Sequence, residues 1–101
     1  MTDFGERLRK ERESRDVSLR EMAEATKIGK RYLEALERNE FDALPGTVFA
    51  KGYIRNYAEH LGLDPETLLE DYQRERRSRG GGDDEEEERA ARDAAQAVLS
   101  N

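Results

Sequence analysis

From Phe4 to Tyr72 the large apolar residues return every three or four positions, never in sustained alternation, and only Pro45 and Pro65 interrupt them. A spacing of three and four puts side chains on one face of an α-helix, whereas a half-buried strand needs a spacing of two. The chain is therefore expected to be all-α. Local signals then divide it. Thr2 or Asp3 can cap a helix from Phe4 to about Ser14 with Phe4 and Leu8 as its inward stripe. Ser18-Leu19-Arg20-Glu21 is a capping box, in which hydroxyl and carboxylate each satisfy an unpaired amide, and it starts a second helix from Leu19 to about Thr26. After the break Lys27-Ile28-Gly29, a third helix runs from Lys30 to Arg38. Leu44-Pro45-Gly46-Thr47 interrupts again, because proline lacks an amide and drives the preceding residue out of the helical region. A fourth helix is expected from about Val48 to Leu61, ended by a left-handed Gly62. Asp64-Pro65-Glu66 then opens a fifth, which runs to Tyr72 or beyond.

The helical pattern stops at Gly80-Gly81-Gly82, a flexible hinge followed by six consecutive acids, Asp83-Asp84-Glu85-Glu86-Glu87-Glu88. The 101 residues carry a net charge of −6, but residues 1–79 hold 16 Lys and Arg against 17 Asp and Glu, and residues 80–101 hold 2 against 7. Nearly all the acidity belongs to the tail. Its only large apolar residues are Val98 and Leu99, so it cannot bury a core, and it reads as a disordered acidic segment, with docking or mimicry of nucleic acid as the functional alternatives. The expected organisation is a helical domain over residues 1–79 and a flexible Gly and acidic tail over residues 80–101.

Composition narrows the chemistry. There is no cysteine, so disulfides, thiolate metal sites and thiol nucleophiles are excluded, and the single histidine, His60, has no imidazole partner. No phosphate-binding glycine loop appears, and the carboxylates fall on solvated helix faces. A non-enzyme without cofactor or metal is expected. The chain has no run of about twenty apolar residues and no basic-then-apolar leader, so a cytoplasmic location is expected, at the inner face of the membrane if a longer protein supplies an anchor.

Two features point to binding. Ala23, Ile28, Leu33 and Leu36 occupy the positions a helix-turn-helix needs: a small residue at the crossing, an aliphatic past the turn and two aliphatics on the inner face of the second helix. Lys27 stands where glycine is common in such turns, a conformation lysine reaches at modest cost. The outward residues of the third helix would be Gly29, Lys30, Arg31, Glu34 and Arg38. Lys27, Lys30 and Arg31 are the candidates for DNA phosphates or guanine edges, but Glu34, with Glu37 and Glu40 nearby, opposes a polyanion, so weak or no nucleic-acid binding is expected. The second feature is the fourth helix. Phe49, Ala50, Tyr53, Ile54, Tyr57, Ala58 and Leu61 spread over an arc of about 180° at roughly 100° per residue, where packing against a core requires only about 100°. The surplus is aromatic, with Lys51 and Arg55 across the helix. A protein-docking surface made of Phe49, Tyr53, Tyr57, Lys51 and Arg55 is the functional reading.

The string Arg31-Tyr32-Leu33-Glu34-Ala35-Leu36-Glu37, then Phe41, Leu44-Pro45-Gly46 and Val48-Phe49-Ala50-Lys51-Gly52-Tyr53-Ile54-Arg55-Asn56-Tyr57-Ala58, closing with Leu61-Gly62-Leu63-Asp64, resembles the cytoplasmic N-terminal domain of the bacterial cell-shape protein RodZ. The resemblance covers Phe4 to about Tyr72. It implies a five-helix, lambda-repressor-like helix-turn-helix domain that binds the actin-like filament protein MreB and links it to the membrane-bound wall-elongation machinery. It further implies that an aromatic pair on the fourth helix, here Tyr53 and Tyr57, makes the filament contact. Family members usually continue through a basic stretch into a membrane helix. Arg74, Arg76, Arg77 and Arg79 match the basic stretch, and the acidic residues that follow depart from the pattern. Contact with the membrane would come only through a segment absent from this chain, and a DNA-binding transcriptional regulator is the alternative function.

Because the tail offers nothing to a core, cutting the chain after Arg79 should leave the helical circular dichroism per domain and the melting midpoint unchanged within error. A fall of several degrees would show tail residues packed into the domain.

Overall fold

Helices start where a side chain, a glycine or a proline resolves the problem of the unpaired first-turn amides. In the computed structural model, which describes residues 3–79, α1 (Phe4–Glu13) begins at Asp3, whose carboxylate accepts from the Glu6 amide at 2.8 Å. The Ser18 hydroxyl accepts from the Glu21 amide at 3.0 Å and opens α2 (Leu19–Thr26). Asp64 caps α5 (Pro65–Ser78), with Pro65 in the first turn. α3 (Lys30–Glu37) and α4 (Thr47–Leu61) follow Gly29 and Gly46 without a side-chain cap. Lys27 ends α2 in the left-handed conformation, φ 62° and ψ 21°, and Gly62 ends α4 at φ 73°. The five expected helices are thus present, within a residue or so at most ends, and no strand occurs among the described residues. The expected tail lies outside those residues.

A short 3-10 turn, Phe41–Ala43, that the spacing did not announce sits between α3 and α4. It delivers the Phe41 ring to 5.1 Å from Tyr72 and 6.0 Å from Phe4, while Phe4 and Tyr72 are 5.9 Å apart. Three aromatic rings thereby join α1, the loop and α5. The remaining core is aliphatic, with Leu8, Leu33, Leu36 and Ile54 fully buried at its centre and Met22, Ile28 and Leu68 around them. α1 crosses α3 so closely that a Cβ on Gly5 would lie 2.4 Å from the Glu37 carbonyl oxygen. Only glycine fits there. The Gly5 amide donates to buried Asn39 Oδ1 at 2.8 Å, and Asn39 itself holds φ 59° just past α3.

One polar cluster interrupts this core. Arg12 lies one turn beyond Leu8 on the inward stripe of α1, and its Nε and Nη2 donate to the two oxygens of Glu37 at 2.8 and 2.9 Å. Its Nη1 donates to the Val17 carbonyl at 2.9 Å. The side chains of Arg12 and Glu37 are 9% and 5% exposed. Tyr57, from α4, donates its hydroxyl to Glu37 at 2.7 Å, with the Leu8 carbonyl also 3.1 Å away. The expectation that Tyr57 faces a partner is therefore corrected. Its ring is completely buried, because α1 and α3 present an acceptor inside the core for the hydroxyl that would otherwise need water.

Burial above all, and then the Glu37 carboxylate, raise the Tyr57 phenol well above its ordinary value. In the unfolded chain the same phenol ionises near pH 10, about the model-peptide value. The stability it confers is intact below about pH 10 and is lost as pH rises beyond that, since only the unfolded chain releases the proton. Tyr57→Phe should cost about 1.5–3 kcal/mol at pH 7, the worth of one hydrogen bond to a charged group. It should also make stability fall less steeply above about pH 10 than in the parent chain, as measured by urea unfolding at several pH values.

Candidate partner-binding surface

The buried residues of α4 are Ala50, Ile54, Tyr57, Ala58 and Leu61. At roughly 100° per residue they fill an arc of about 100°, the width one packed face requires. The apolar surplus lies beside it. Phe49 is 58% exposed and Val48 55%, and Tyr53 is half-buried. The Tyr53 ring lies 6.4 Å from Phe49 on one side and stacks on Tyr32 of α3 on the other, 5.7 Å between centroids at 26°. The Arg31 guanidinium caps the row 4.7 Å above the Tyr32 ring and donates to its hydroxyl at 2.8 Å. Phe49, Tyr53, Tyr32 and Arg31 thus form one continuous row from α4 to α3.

The five residues expected on the docking surface separate. Phe49 and Tyr53 belong to the row, and Tyr57 belongs to the core. Arg55, exposed, and Lys51, half-buried, lie about 120° and 160° round the helix from Phe49, beyond Val48, so they flank the far side of the patch. Tyr32 was not singled out by the sequence reading. Its signal was its place beside Leu33, which puts it at the border of the inward face of α3.

Next to the row lies a set of cations. Lys27, Lys30, Arg31 and Arg38 are all exposed, and none has an ion pair among the described residues. Elsewhere the basic residues are largely paired: Arg7 with Asp71, Arg9 with Glu13, Arg15 with Glu11, Arg20 with Glu24 and Arg79 with Glu75. Glu37, expected to repel anions near this face, is turned inward onto Arg12, which leaves half-buried Glu34 as the acid among the outward residues of α3. The turn and α3 are consequently more positive than the domain's net charge of −1 suggests. His60 is exposed, no group of three or more potential metal ligands occurs among the described residues, and no helix there is long and apolar enough to cross a membrane.

A five-helix unit with Ala23, Ile28, Leu33 and Leu36 packed at the crossing of α2 and α3 is a helix-turn-helix domain. Residues 7–68 match the profile of a family described as a helix-turn-helix domain, and the chain belongs to that family, as a RodZ-like member. It is 42% identical over 59 residues to the uncharacterised membrane protein YmfM of Bacillus subtilis, a stretch covering 58% of this chain and 20% of that protein. It is 35% identical over 69 residues to the cytoskeleton protein RodZ of Streptococcus pneumoniae, covering 68% of this chain and 25% of that one. The match thus spans about a fifth to a quarter of these relatives. The solved structure of YmfM from Staphylococcus aureus, a membrane protein for which DNA binding has been proposed, superposes with a TM-score of 0.67 at 36% identity, over 72% of this chain and 89% of that one.

Proposed function

We propose that this domain is a non-enzymatic adaptor that binds an actin-like filament of the MreB kind through the aromatic edge of α4 and, through a segment outside this chain, links it to membrane-bound wall-elongation machinery. The observation that carries the reading is the exposure of Phe49 and Val48 beside the half-buried Tyr53, on a helix whose core face is already complete. Exposed apolar side chains contiguous with aromatic rings and an arginine are the usual ingredients of a protein interface. The cytoskeletal name of the pneumococcal relative supports the same reading.

Truncating a central aromatic anchor commonly weakens an interface by about 2 kcal/mol, roughly thirtyfold in affinity. Phe49→Ala and Tyr53→Ala should therefore lower co-sedimentation with filaments sharply while the domain stays folded, and Lys30→Ala should not. Tyr57→Ala is the contrasting case, expected to cost about 3–5 kcal/mol of stability through loss of a buried ring. Normal filament binding by a folded Phe49→Ala/Tyr53→Ala double variant would place the contact elsewhere.

A second reading, DNA binding, is favoured by the cations of the turn and α3 and by the proposal made for the staphylococcal YmfM. With Glu34 on the same face and the domain near neutral, binding should be weak, independent of sequence and steeply salt-dependent. Gel shifts at physiological salt should show no preferred site. Nanomolar, sequence-dependent binding lost in Lys30→Ala or Arg31→Ala would put DNA first.

A further inference from the structure

The exit of the chain from the domain lies close to the end of α3. Arg79 reaches Asp3 at 3.9 Å, the Gly5 amide two residues on donates to Asn39 Oδ1 at 2.8 Å, and Asn39 and Arg79 line the same shallow cleft. Asn39 follows Arg38, the last cation of the α3 set. Beyond Arg79 come three glycines and then six acids.

We infer that residues 83–88, Asp-Asp-Glu-Glu-Glu-Glu, dock on the cation face formed by Lys27, Lys30, Arg31 and Arg38 of the same chain. The lengths agree. Gly80 to Gly82 can carry the chain at most about 14 Å from Arg79, and six extended residues then span about 20 Å. α3, with eight residues, is about 12 Å long, so the run can lie along it from Arg38 to the turn at Lys27. The charges agree as well. The face holds four cations without a carboxylate partner against Glu34, and the run brings six negative charges whose mutual repulsion a basic surface relieves. Most other cations of the domain already have a carboxylate, which makes them poorer partners. The inference does not rest on the filament reading, although the two surfaces share Arg31, which also caps the aromatic row.

Pairs between exposed charges add little to folding stability, so this contact should be read by position and salt response rather than by melting. The chain has no cysteine, which makes a single spin label clean. In the full chain, a nitroxide on Arg89→Cys, just past the acidic run, should broaden the backbone amide signals of residues 27–38 at low salt. The broadening should vanish at about 0.5 M salt, where screening shortens to a few ångströms. It should also vanish when the six acids are replaced by serine, and in the Lys30→Glu/Arg38→Glu variant, whose side chains are exposed and outside the core. Broadening confined to the end of α5 and the start of α1 would overturn the inference. So would broadening centred on Lys51 and Arg55, or broadening that survives charge reversal. Broadening seen only between labelled and unlabelled molecules mixed in one sample would assign the run to a second copy and overturn the intramolecular contact.

Discussion

One buried ion pair ties together three of the five helices. Arg12 of α1 and Glu37 of α3 meet through two hydrogen bonds, the Val17 carbonyl takes a third donor of the guanidinium, and Tyr57 brings α4 to the same carboxylate. Removing both charges from water is costly, and the pair is tolerated because nearly every polar atom in it finds a partner. Breaking it from one side is far worse than never having it, since the surviving charge stays buried. The Tyr57 hydroxyl ties α4 to the carboxylate that already joins α1 to α3. α4 also packs on α2 and α5, and beside that packing Tyr53 stacks on Tyr32 of α3.

How much of this was legible depends on the range of the interaction. Helix starts at Asp3, Ser18 and Asp64, and the left-handed ends at Lys27 and Gly62, rest on contacts within a few residues, and the sequence displays them directly. The short 3-10 turn and the Gly5 crossing were not visible, because each answers to a distant segment: Phe41 to Tyr72, and Gly5 to the Glu37 backbone. Arg12 was not singled out, although its position carried a signal. It continues the Phe4 and Leu8 stripe at the next i+4 position, which marks it as inward-facing, but nothing local says that an arginine there has a carboxylate 25 positions away. The error at Tyr57 has the same root, since α4 shows an excess of apolar surface in projection without showing which of its aromatics has an acceptor waiting inside.

Charge counting misled in a related way. A domain at net −1 looks indifferent to anions, yet that sum treats every side chain as equally available. Folding pairs most cations of α1 and α5 with carboxylates and consumes Glu37 internally, and what remains on the turn and α3 is a local excess of positive charge. The effective field of a small helical domain is the residue of its ion pairing, and it appears only once the helix faces are assigned.

The aromatic row and the cation face are not independent, because Arg31 belongs to both. Its guanidinium lies over Tyr32 and bonds the Tyr32 hydroxyl, so one side of the stack that positions Tyr53 is closed by a charge that an anion would also seek. Turning Arg31 toward a phosphate or a carboxylate forfeits a cation–π contact worth about 0.5–1 kcal/mol at an exposed site and uncovers the Tyr32 ring. Binding of an anion at α3 and binding of a protein at the edge of α4 therefore act on the same side chain. Lys27, Lys30 and Arg38 carry no such double duty, and they are the cations that an anion can take without disturbing the row.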